Sequence, residues 1–141
     1  MELQELNKRI QQINPIKAFA EFVSDNPSLF IDALREQMYR GESGDGLIRY
    51  IYASEDYEKY KFRKNPKAGG RPDLNNEGDF YAGIEVDVYY TSNQVALNFY
   101  STDSKSDKLT EKYTNTIWIL NEKTISLIQK EIKTKFKDYL I

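Results

Sequence analysis

The chain has 141 residues, enough for one domain with a core of its own, and it carries no Cys, no His and 11 Tyr. Without Cys and His there is no disulfide, no thiolate nucleophile, and neither the commonest metal ligand nor the commonest general base, which points away from enzymes, cofactors and metal centres. The net charge of −2 divides into blocks of −5 over residues 1–58, +6 over 59–71, −6 over 72–104 and +3 over 105–141, which excludes a uniformly basic nucleic-acid coat.

The N-terminus MELQELNKRI lacks an apolar leader core, and no apolar run in the chain is long enough to cross a membrane. A soluble product with no membrane partner, made and first held in the cytoplasm, is therefore expected. Leu3, Leu6, Ile10 and Ile13 fall at helical spacing over 2–13, a narrow apolar stripe suited to docking against a partner. Asn14-Pro15 and Asn26-Pro27 each fit an N-cap followed by Pro at the first helical position. They predict amphipathic helices over about 15–24 and 27–40, the second ending at Gly41.

Residues 41–46 read as a loop, Leu47–Tyr52 as β-prone, and Ser54 as the cap of a short helix reaching about Phe62. Residues 63–79, rich in Pro, Gly and Asn, form a long loop of the kind that is functional or disordered in compact domains. From Phe80 the pattern alternates through Ala82, Ile84, Val86 and Val88, and again through Val95, Leu97 and Phe99 after Thr91–Gln94, which predicts an antiparallel hairpin. Asp103 or Ser104 then caps a short helix through Tyr113, and Asn121 caps a long one with Ile125, Ile128, Ile132, Phe136 and Tyr139 on one stripe. The expected class is α+β, an antiparallel sheet packed against N-terminal helices and a long C-terminal helix.

The catalytic patterns fail on inspection. Asp73 with Glu85-Val86-Asp87 approaches the metal-dependent nuclease arrangement, yet Asp87 stands where that motif needs Lys, and the strand places both acids on its solvent face. Gly41, Gly44 and Gly46 follow a helix in the wrong order for a phosphate loop, and Ser104 near Lys108 has no oxyanion hole around it.

Contact chemistry is better represented. Lys59, Lys61, Arg63, Lys64, Lys67 and Arg71, interleaved with Tyr60 and Phe62, form a cationic block directly before the acidic hairpin, where Tyr81, Glu85, Asp87 and Tyr89 share a face. Opposite blocks on one chain favour head-to-tail docking of one copy on the next. The same cations with their aromatic neighbours are the basis of the alternative, a nucleic-acid-binding accessory protein using residues 59–71.

One family shares this order of features. An amphipathic helix ending Gln37-Met38-Tyr39-Arg40-Gly41, a polar stretch with Lys61, Asp73-Leu74-Asn75-Asn76-Glu77-Gly78-Asp79-Phe80, a hairpin and a closing helix resemble the virion-morphogenesis proteins of tailed bacteriophages, the small tail-completion, head-closure and neck proteins. Glu77 stands where Thr is usual. Ser101–Lys105, Lys108-Leu109 with Lys112-Tyr113, and Ile117 with Leu120 match the family's later loop and approach to the last helix. The resemblance spans about 27–140 and implies a structural, non-enzymatic protein of the virion head–tail junction. It would assemble as a homo-oligomeric ring and touch other neck, portal or tail proteins.

Overall fold

Proline placement sets the start of the helical layer. The computed structural model describes residues 3–5, 14–48, 55–69, 71–75 and 78–140. Pro15 and Pro27 sit in the first turns of α1 (Pro15–Asp25) and α2 (Pro27–Tyr39), where a missing N–H leaves no bond unmade. Asn14 caps α1 as expected, its Oδ1 accepting from the amides of Ile16 and Lys17 at 3.1 and 3.2 Å. Asn26 departs from expectation: it is the lone residue between the helices, and its side-chain amide donates back to Phe22 O at 2.9 Å instead of capping α2. Gly41 ends α2 in the left-handed region, φ +70°, with its amide on Met38 O at 2.8 Å.

Two short strands follow, β1 (Glu42–Ser43) and β2 (Gly46–Leu47), paired antiparallel. The β-prone stretch beyond Ile48, and Ser54 with its expected cap, lie outside the described residues. Helix α3 (Glu55–Lys64) leads into a 3-10 turn, Pro66–Ala68.

The hairpin is β3 (Ile84–Tyr90) with β4 (Val95–Ser101), paired antiparallel from Ile84 opposite Ser101 to Tyr90 opposite Val95. Its strand does not begin at Phe80. Asp79–Ala82 is a helical turn, α4, entered from Gly78 at φ +87°. Ser101 Oγ donates to Phe80 O at 2.9 Å and Thr102 N to Gly83 O at 3.0 Å, which tie this turn to the far end of β4. The turn drives Phe80 into the core against Trp118, ring centroids 5.4 Å apart, and swings Tyr81 away from the ribbon.

Helix α5 (Ser106–Tyr113) has no side-chain cap. Asp103 instead binds the amide of Lys105 through Oδ2 at 3.2 Å and the amide of Ser106 through its carbonyl at 3.1 Å. After a 3-10 turn (Asn115–Trp118), Asn121 caps α6 (Glu122–Phe136), Oδ1 accepting from Thr124 N at 2.8 Å, and a last 3-10 turn covers Lys137–Tyr139.

The class is mixed α+β, as expected. Phe22, Val23, Leu34, Met38 and Ile117 are fully inaccessible and form the centre of the core. One ribbon face, Ile84, Val86, Val88, Leu97 and Phe99, packs on this cluster, as do Ile128, Ile132 and Phe136 of α6 and Tyr139 of the last 3-10 turn. Phe136 meets Phe19 edge-on at 5.3 Å and Tyr139 meets Phe22 at 5.4 Å, geometries that suit aromatic quadrupoles. Ile125 leaves its predicted stripe and is half exposed.

A buried polar junction fixes α6 to the end of α2. Gln37 Nε2 donates to Ile119 O at 2.7 Å while its Oε1 accepts from Asn121 N at 2.8 Å. Glu42 accepts from Asn121 Nδ2 at 3.0 Å, Arg40 Nε at 3.1 Å and Lys123 Nζ at 3.3 Å. Among the described residues no helix is long and apolar enough to cross a membrane.

Candidate assembly interface

The cationic block is split by burial. On α3, Lys61 turns inward: its ammonium lies 2.7 Å from Asp73 Oδ1 and donates to Asn75 O at 3.0 Å. Asn65 bridges the same carboxylate, Nδ2 donating to Asp73 Oδ2 at 2.9 Å and to Tyr39 O at 2.5 Å. Asp73 Oδ1 also takes the amide of Asn75 at 3.0 Å, a local turn contact of the sort Asp provides. The tightly bonded Asp73 is followed by Leu74, buried and held at φ +59°, a conformation that L side chains populate only when their surroundings impose it.

Lys61 is therefore corrected from a docking cation to a core group. Arg71 is half-buried and also engaged within the fold: its guanidinium donates to Gly41 O at 3.3 Å and Arg40 O at 3.0 Å, capping the carbonyls at the end of α2. Tyr81 is corrected as well. Its hydroxyl donates to Asp73 O, so it belongs to this junction and not to the hairpin's outer face. Burial, then the charge of Asp73, pushes its phenol well above the usual tyrosine range. The stretch 63–79, expected as a long loop, is anchored where described: Asn65, Ala68, Asp73, Leu74 and Pro72 are all buried. Gly70, Asn76 and Glu77 lie outside the described residues.

What remains exposed forms two patches. The first is the outward side of α3 and the turn after it, with Lys59, Arg63, Lys64 and Lys67 exposed beside Tyr60 and Phe62, which are 49% and 50% accessible. Lys59 makes a long ion pair with Glu55, 3.8 Å, and Lys64 lies 5.8 Å from the centre of the Tyr60 ring. The second is the outer face of the β3–β4 ribbon, where Glu85, Asp87 and the 59% accessible Tyr89 stand opposite Tyr100, Asn98 and Ala96. Glu85 accepts from the Tyr100 hydroxyl at 2.8 Å, a bond that raises the phenol's pKa.

Leu3 of the N-terminal stripe is 72% exposed, whereas Leu6, Ile10 and Ile13 lie outside the described residues. The acids of the nuclease-like pattern do not meet a metal-ligating group: among the described residues no cluster of three or more His, Cys, Asp or Glu converges. A groove of about 550 Å³ that no sequence motif marks lies between α2 and α6, lined by Leu29, Ala33 and Ile128 together with Asp32, Glu36 and Glu131. Its apolar lining residue Leu127, 65% exposed, falls off the stripe of Ile128, Ile132 and Phe136, and an apolar residue off the buried face is the available hint.

Comparison with known protein families, characterised proteins and solved structures finds no match to this chain.

Proposed function

We propose that the chain is a structural, non-enzymatic protein of a tailed-phage head–tail junction, of the neck or tail-completion kind, which assembles as a ring and acts through protein contacts. The observation that carries this is a convergence. Five of the residues on which the family resemblance rests, Tyr39, Arg40, Gly41, Lys61 and Asp73, meet at one junction together with Asn65 and Arg71: Tyr39 and Asp73 share Asn65, Lys61 pairs with Asp73, and Arg71 holds Arg40 and Gly41. Leu74 and Phe80 are buried beside it. A signature devoted to packing an exposed ribbon and helix in fixed relation suits a scaffold whose outer surfaces do the work.

A ring requires a heterologous interface whose rotation closes. Native mass spectrometry of the purified chain at rising concentration, with electron microscopy of the product, tests the proposal. A discrete closed oligomer is expected, and a chain that stays monomeric throughout and captures no head, portal or tail component overturns it. Two cations of the nucleic-acid alternative are engaged within the fold, Lys61 buried against Asp73 and the half-buried Arg71 on Arg40 O and Gly41 O.

A further inference from the structure

We infer that the interface between successive copies joins the cationic side of α3 on one copy to the outer face of the β3–β4 ribbon on the next. This rests on the ring-forming function proposed above and names the surfaces that would build it.

Three observations favour a second copy as the occupant. First, Glu85 and Asp87 stand on a ribbon face that has no cation of its own, since residues 72–104 contain no Lys or Arg. Neither acid forms an ion pair among the described residues, so both are open to a cation supplied from outside that element. Second, Arg63 and Lys67 are exposed and meet no carboxylate among the described residues, and their elements also expose half of Phe62 and Tyr60. Tyr89 and Ala96 supply matching apolar area on the ribbon. Aromatic anchors beside opposite charges are the composition of a docking surface, and a positive patch meeting a negative one rejects like contacts.

Third, α3 is itself polar along its length. Glu55, Asp56 and Glu58 occupy its first turn and Lys61, Arg63 and Lys64 its last. A phosphate backbone tracking the helix would be repelled by the first turn, whereas a compact acidic face can seat on the cationic end alone. The two patches differ, so the contact is head-to-tail and leaves one of each free at every step, which is what a ring consumes on closure.

Paired charge reversals test this. In Arg63→Glu/Lys64→Glu both patches become acidic, and in Glu85→Lys/Asp87→Lys both become basic. Each variant alone should associate about tenfold or more weakly than the parent chain, and an equimolar mixture should recover the oligomer with the two variants alternating. Circular dichroism on each variant confirms that these exposed positions leave the fold intact. If both variants assemble like the parent chain, the interface lies elsewhere and this inference fails while the ring proposal stands. If the parent chain itself forms no oligomer, both fail. Loss of duplex DNA binding in Arg63→Glu/Lys64→Glu with an unchanged oligomer would assign the patch to nucleic acid instead.

Discussion

Lys61 and Asp73 form an ion pair at 2.7 Å with side chains only 7% and 3% accessible, joining α3 to the segment before the ribbon. A charge at such a site is tolerated because every neighbour is committed to it: Asn65 and the amide of Asn75 bind the carboxylate, and Asn75 O takes a second bond from the ammonium. Removing one partner strands the other. Lys61→Met should destabilise the chain by roughly 3–5 kcal/mol, and Lys61→Met/Asp73→Asn by less than the sum of the two single changes. Urea denaturation measures both, and a Lys61→Met variant as stable as the parent would show that the pair contributes nothing.

That pair also marks the boundary of what the sequence discloses. The ribbon was legible because period-two alternation is local, and Asn14, Gly41 and Asn121 were legible because capping chemistry acts within a few residues. Lys61 and Arg71 looked like their exposed neighbours, since their partners Asp73 and Gly41 are 12 and 30 residues away. Phe80 misled for a different reason: it has the parity of Ile84 and Val86, so a buried helical turn and a strand give the same pattern. Gly78 and Gly83, bracketing that turn, were the available hint.

Glu42 gives a pH prediction. Burial opposes its charge, but hydrogen bonds from Asn121 and Arg40, the charge of Arg40 and a bond from Lys123 outweigh that and hold its carboxyl below the ordinary 4.5. A folded-state pKa below the unfolded one stabilises the fold above the unfolded pKa, and the contribution disappears as pH falls through the folded value. Glu42→Gln should therefore melt lower than the parent chain near neutral pH, with the gap narrowing only once the pH drops below about 4.5. A gap that is constant across that range would show that the ionised form is not what matters.

The two working asparagine caps should differ in cost. Among the described residues the Asn14 side chain serves only the first amides of α1, so Asn14→Ala should lose about 1 kcal/mol. Asn121 caps α6 and also donates to Glu42 Oε1 and Ser43 O, both at 3.0 Å. Its loss leaves buried acceptors unmet, and Asn121→Ala should cost roughly 2–3 kcal/mol. Thermal melts of the two variants side by side decide the ranking, and equal losses would mean that the Asn121 bonds to the β1–β2 hairpin carry no weight.

Gly44 tests how closely that hairpin sits on the approach to α6. Its amide donates to Thr116 O at 2.8 Å, and a Cβ built there would lie 2.6 Å from Ile119 Cβ and 2.8 Å from Cγ2. The backbone at Gly44 is not in the left-handed region, so space is the only obstacle to a side chain. Gly44→Ala should cost about 1–3 kcal/mol, as overpacking does. Shortening Ile119 to Ala would not relieve it, because the nearest atom is the Cβ that Ala retains. Ile119→Gly removes that atom from a side chain already 53% exposed. The double variant Gly44→Ala/Ile119→Gly should then be more stable than the two single losses summed, a favourable coupling that denaturant melts of the four proteins would read directly. Strict additivity would place the hairpin farther from Ile119 than these distances allow.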